Sequence, residues 1–159
     1  MDKNIYHIDS NFLLNFLIPD DKDIYEIVKQ KLYRNNWYKD IYRINIYALG
    51  EVFKKLLFAE NEKNAKIVEN NKNKILNLIR ERHIEILSID KINFERFIEH
   101  FKKLNEIDKR IEEGDKLNLS IFCADSDSKY FYTFDTGIIG SKKLLDYLRN
   151  LNKDIKEIK

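Results

Sequence analysis

Short apolar runs alternate with amphipathic stretches along this chain, and that alternation leaves few folds open. Ile5-Tyr6-His7-Ile8, Tyr42-Arg43-Ile44, Ile84 to Ile89, Tyr130 to Phe134 and the weaker Ile155 to Ile158 read as strands. Between them, apolar residues recur at helical spacing. A first stripe comprises Ile24, Ile27, Val28 and Leu32; a second, which Asn45 can cap, comprises Leu49, Val52, Phe53, Leu56 and Leu57. Ile67, Val68, Ile75, Leu78 and Ile79 mark a charged helix from about Glu62 to Arg82, and Phe94, Phe97, Ile98, Phe101 and Leu104 mark another. Pro19, the only proline, ends a short helical segment from Phe12 to Ile18. Gly114 breaks a polar stretch before a short helix to about Ala124, and a last helix runs from about Ile138 to Leu151. Such β/α alternation predicts a three-layer α/β/α architecture around a central parallel sheet of about five strands.

No linker or repeat divides the 159 residues, so a single domain spanning 1–159 is expected, burying roughly 70% of its unfolded surface. No apolar run approaches the ~20 residues of a membrane span, so no membrane partner is expected. Asp2 and Lys3 lead directly into a strand rather than a signal peptide. A single cysteine, Cys123, excludes an internal disulfide and a cysteine-based zinc module, which fits a cytoplasmic protein. The formal charge of +2 is too small to argue for nucleic acid by itself, and leaves room for basic patches beside an acidic pocket.

Four acidic residues stand where apolar strands end or in the helices beside them: Asp9, Glu51, Asp115 and Asp135. If the strands closed by Asp9 and Asp135 are parallel neighbours, both carboxylates emerge at one sheet edge, where open α/β folds place their sites. A like-charged pair at about 4 Å costs on the order of 4 kcal/mol at an effective dielectric of about 20. A hard divalent cation is the leading remedy. Taken alone, each acid has a plainer role: Asp9 as a turn or cap, Asp115 as a complement to a helix dipole. The stripe on its helix leaves Glu51 facing solvent. Asp135 is the strongest, because so apolar a strand rarely ends in an acid that only caps.

The motifs together resemble the PIN domain family of metal-dependent nucleases. His7-Ile8-Asp9-Ser10-Asn11-Phe12-Leu13-Leu14 looks like the opening of a PIN domain, whose first strand ends in Asp-Ser/Thr-Asn. Glu51, within Ala48-Leu49-Gly50-Glu51-Val52, occupies the place of the second acid. Gly114-Asp115-Lys116-Leu117-Asn118-Leu119-Ser120 resembles the third motif, and Tyr130 to Asp135, ending in Thr-x-Asp, the fourth. Order and spacing agree over nearly the whole chain. Two features depart from the pattern: Asn118, where many members have His or an aliphatic residue, and the polar loop Asp125-Ser126-Asp127-Ser128-Lys129.

The resemblance implies a divalent-metal-dependent endoribonuclease of the VapC toxin type. Asp9, Asp115 and Asp135 would be inner ligands of Mg²⁺ or Mn²⁺, with Glu51 binding a second ion, acting through water or orienting the nucleophile. Ser10 and Asn11 would fix the Asp9 turn, and the Thr133 hydroxyl would bond within the site. Lys54, Lys55, Lys116, Lys142 and Lys143 are candidates for the phosphates flanking the cut. Tyr33, Trp37, Tyr38 and Tyr42 would stack on bases or pack in the core. Implied partners are RNA, a small antitoxin protein and a second copy in a homodimer. Alternatives are an inactive PIN-like module that binds RNA or protein, and a metal-dependent phosphomonoesterase.

Other motifs carry less. Asp135-Thr136-Gly137 matches the aspartic-protease tripeptide, but that chemistry needs a second aspartate in an all-β fold. His7, His83 and His100 share no metal or triad spacing, and Asp125-Ser126-Asp127 lacks most of a calcium loop.

Overall fold

The computed structural model of the protein describes residues 3–33, 39–63 and 65–158, without the side chains of 59–68. Trp37 and Tyr38, and the side chains of Ile67 and Val68, lie outside the described residues. Strand β1 (Asn4–Ile8) pairs in parallel with β2 (Asp40–Asn45) on one side and β4 (Tyr130–Thr133) on the other. Strands β3 (Ile84–Leu87) and β5 (Asp154–Glu157) add outside β2 and β4, giving the all-parallel order β3-β2-β1-β4-β5. The chain builds outwards from β1 to β3, then returns to the other flank for β4 and β5. The reversal falls between β1 and β4, and in open α/β sheets the crevice at the carboxyl ends of such strands receives ligands.

Alternation of side chains along the strands separates two layers. Ile8, Tyr42, Ile44 and Ile84, with Tyr6, Ile86 and Tyr132, pack against α1 (Ser10–Leu17), α2 (Lys22–Tyr33), α3 (Ile46–Lys63) and α4 (Ala65–Arg80). Tyr6 stacks on Tyr132 and Tyr130 with ring centroids 5.1 and 5.0 Å apart. A second cluster gathers Phe131 with α5 (Phe94–Ile107), α6 (Glu113–Ala124), α7 (Thr136–Ile139) and α8 (Lys142–Asn150), through Leu104, Phe122, Ile138, Leu144 and Leu148. Among the described residues, no helix is long and apolar enough to cross a membrane.

Several expected boundaries move. Helix α1 begins at Ser10 because the Asp9 carboxylate caps it, two residues ahead of the apolar start. Glu62 and Lys63 end α3, and α4 starts only at Ala65. Gly114 does not break the chain but lies inside the first turn of α6. The last helix divides: Asp135 caps the one-turn α7, then Ser141 donates to the Asp108 carboxylate at 2.8 Å and α8 begins afresh at Lys142. Tyr42 is buried in the core, so it offers no face for base stacking.

Candidate functional site

Because β1 and β4 are hydrogen-bonded neighbours, their last residues deliver Asp9 and Asp135 to the reversal point together. The Asp9 backbone is extended, and Oδ1 accepts the Phe12 N–H at 2.9 Å while Oδ2 accepts the Thr133 hydroxyl at 2.6 Å. The same Thr133 oxygen accepts the Asp135 N–H at 3.0 Å, so one hydroxyl ties the two acidic strand ends. Asp135 Oδ1 accepts the N–H groups of Gly137 and Ile138 at 2.6 and 3.2 Å. Asp9 and Asp135 are thus N-caps, and they stand together at the topological site.

Asp115 enters from the first turn of α6 and Glu51 from α3, and both are half-buried. Burial pushes the Asp115 carboxyl up to about 6, and the charges of Asp135, Asp9, Glu112 and Glu51 push in the same direction. Burial likewise raises Asp9 to about 6; its bonds from Thr133 and Phe12 oppose the rise and the Asp135 charge adds to it. The four acids therefore share one electrostatic environment.

Glu51 arrives there through the packing of α6. Of the α3 stripe, Leu49, Val52 and Leu56 face the first core cluster while Phe53 and Leu57, expected in the core, are exposed, and α6 lies on another flank of the same helix. A Cβ on Gly114 would stand 2.7 Å from the Tyr47 hydroxyl and 3.6 Å from Glu51 Oε1, so glycine permits this approach. Burial and the adjacent Glu51 raise the Tyr47 phenol. Asn45 caps α3 by accepting the Ala48 N–H at 2.9 Å, and its amide donates to Asn118 Oδ1 on α6. Asn118 thereby locks α3 to α6 and holds Glu51 near Asp115. Tyr47 and the pairing of Asn45 with Asn118 escape sequence reading, although the cap at Asn45 and the unusual residue at Asn118 are each visible there.

The remaining candidates are dispersed. Ser10 is buried at the start of α1, while Asn11 is exposed and accepts from Lys55 Nζ at 3.3 Å. Lys54 and Lys55 are exposed and share an open groove with Glu51. Lys116 is buried, at 6% exposure, because α6 is enclosed on most sides. Lys142 and Lys143 line a separate cavity of about 680 Å³ with Lys109 and Arg110, and none of the four acids borders it.

A different buried carboxylate lies on the inner face of the sheet. Asp125 Oδ2 contacts His7 Nε2 at 2.9 Å and accepts Arg43 Nη1 at 2.8 Å; the Arg43 guanidinium also donates to Glu85 Oε2 at 3.0 and 2.9 Å. The Lys153 ammonium donates to the carbonyls of Asp125 and Ser128 at 2.7 and 2.6 Å. Burial alone would raise Asp125, but the bonds from His7 and Arg43 hold its carboxyl well below the usual range. Burial lowers the His7 imidazole, against the pull of Asp125. The polar loop 125–129 is in this way a structural brace.

The donor set of Asp9, Glu51, Asp115 and Asp135 is entirely hard oxygen, with excess negative charge, which suits Mg²⁺ or Mn²⁺ in chemistry. Among the described residues, no three His, Cys, Asp or Glu side chains are drawn close enough to form a finished cage. Two of the acids, Asp9 and Asp135, are already fixed in orientation by the backbone N–H groups they cap.

No protein-family model and no curated protein sequence matches the chain. Solved structures do. The chain is 17% identical to a chain of VapBC2 from Rickettsia felis, solved bound to a DNA fragment from their promoter, with a TM-score of 0.58 over 98% of this chain and 99% of that one. A chain of VapBC-1 from nontypeable Haemophilus influenzae is 16% identical, with a TM-score of 0.57 over 96% of this chain and 97% of that one. FitAcB from Neisseria gonorrhoeae gives 16% identity and 0.57 over 94% and 95%. At such identities the likeness speaks for architecture alone: the protein has the PIN-like α/β/α fold.

Proposed function

We propose that the protein is a divalent-metal-dependent endoribonuclease, acting as the cytoplasmic toxin of a toxin–antitoxin pair. One observation carries the reading: Asp9, Asp115 and Asp135, with Glu51 beside them, gather mutually repelling charge at the reversal point of a PIN-like sheet. Asp9, Asp115 and Asp135 would hold Mg²⁺ or Mn²⁺. Such an ion, when bound, supplies a Lewis acid for the phosphate and lowers the pKa of a bound water.

The chain's own residues do the rest. Thr133 holds the Asp9 carboxylate in place and fixes the backbone before Asp135, so two acids keep a set orientation. Glu51, on a different helix, orients the attacking water from the side. Lys54 and Lys55 at the rim attract the flanking phosphates that the acids alone would repel. Fold-level likeness to chains of VapBC complexes supports a small protein antitoxin as partner, and a second copy of the chain is a further expected partner.

RNA cleavage is measured with the purified chain in Mn²⁺ or Mg²⁺, in EDTA, and with Asp135→Asn. Cleavage is expected in the first case only; equal cutting in all three betrays a contaminant and sinks the proposal. RNA binding indifferent to metal and to that substitution, without cleavage, would favour a binding module. Independently, Mn²⁺ at ten times its Kd should stabilise the wild type by about 1.4 kcal/mol and stabilise Asp115→Asn by less.

A further inference from the structure

The acid cluster continues along one face of α3. Tyr47, Glu51, Lys54 with Lys55, and Phe58 follow at intervals of three or four residues, so they form a single stripe leading away from the site. Phe58 lies two turns beyond Glu51, roughly 10 Å along the helix axis. Phe58 is 64% exposed and stands beside two exposed lysines. Ile46, Tyr47, Gly50, Glu51, Lys54, Lys55 and Phe58 border an open groove of about 550 Å³. Among the described residues Lys54 has no ion-pair or hydrogen-bond partner, and Lys55 reaches only the Asn11 amide oxygen at 3.3 Å.

Charge and composition decide between occupants. Protein interfaces concentrate aromatic residues but are depleted in lysine, whereas single-stranded nucleic acid is held by cations along the backbone and aromatic rings under the bases. Here a cationic turn separates a carboxylate of the candidate site from the exposed Phe58, with the exposed Leu57 beside it on the helix and Ile46 at the other end of the groove. We infer that this stripe is a subsite for single-stranded RNA beside the cut, in which Lys54 and Lys55 hold a flanking phosphate and a base stacks on Phe58. The inference rests on the ribonuclease reading and adds to it a demand for an unpaired base at that position, since a base inside a duplex cannot offer its face to the ring.

The test is the affinity of the full chain, in EDTA, for a fluorescently labelled single-stranded oligoribonucleotide and for copies carrying one abasic position. Phe58→Ala should weaken binding to the intact strand roughly 5- to 150-fold, the usual worth of one stacked base. Phe58→Trp should restore it. With the strand abasic at the stacking position, wild type and Phe58→Ala should bind alike. Lys54→Ala and Lys55→Ala should each lower the salt slope by about one. Leu57→Ala, exposed on α3 but off the stripe, serves as the comparison. Unchanged affinity in Phe58→Ala overturns the subsite, as does an equal loss in Leu57→Ala, which would mark the face as a general apolar surface for a protein. Cleavage assays separate the two readings. Normal RNA cutting with an indifferent Phe58 removes the subsite alone; the full binding pattern without any cutting removes the nuclease and leaves the subsite.

Discussion

Asp9 and Asp125 are both buried, at 6% and 4% exposure, and each packs against the central strand, yet their surroundings are opposite. Asp125 meets His7, Arg43 and, through its carbonyl, Lys153; Asp9 meets Thr133, a backbone N–H and other acids. One carboxyl is held below its ordinary value and the other is raised to about 6. A carboxylate answered within the protein braces the fold, while one pressed by other carboxylates is the kind that the divalent ion proposed above would relieve.

The sharpest way to break that contrast is Asp125→Ala. Removing it leaves His7 without its partner and Arg43 with the half-exposed Glu85 and the exposed Asp127, and should destabilise the protein by about 3–5 kcal/mol in denaturant melts. Because its folded value lies below the unfolded one, Asp125 contributes stability above the ordinary carboxylate range that is lost as pH falls. The variant should lack that acid-side loss. A loss under 1 kcal/mol would mean that Asp125 braces nothing.

Asp9→Asn should act in the other direction. Without divalent ions, the amide keeps the cap and removes a charge whose value is raised from 3.8 to about 6, so stability at pH 7.5 should increase by about 1–2 kcal/mol. The sign follows from proton uptake. Between about pH 4 and 6 the folded wild type binds more protons than the unfolded chain, so the wild type gains stability as pH falls and the advantage of Asn shrinks. His7, lowered by burial, works against this gain in both proteins and cancels in the comparison. An advantage that stays level from pH 7.5 to 4.5 would contradict the shift.

The smallest effect probes how tightly the acidic side is closed. Gly50→Ala, with nothing within 4 Å of the new Cβ, should gain about 0.5–1 kcal/mol from helix propensity. Gly114→Ala meets the Tyr47 hydroxyl at 2.7 Å and should forfeit that gain while displacing the Tyr47 side chain. Equal melting temperatures for the two variants would show that α3 and α6 are not in close contact there.

The strand-end acids were legible because an apolar run that stops at an aspartate shows both an element boundary and a charge. Glu51 was legible only by resemblance: helical periodicity reports the face turned to the main core, and a second helix on another flank leaves no period. Lys116 failed for a related reason. On α6 the residues from Asn118 to Ala124 are all buried, so the pattern does not mark an outward face on which a lysine would be expected. Arg43 lay inside a strand run, and nothing local announces a partner 82 positions away. Asn118 stood out as a departure from the family pattern, and its use as the tie between α3 and α6 became visible only in three dimensions.

The bond from Thr133 to Asp9 spans 124 positions. During synthesis, at about 5–20 residues per second, the first acid therefore leaves the ribosome roughly 6–25 s before the last. For that interval the nascent polypeptide holds its first three strands but not all four acids, so the acidic cluster at the sheet's reversal point assembles only once β4 has been made.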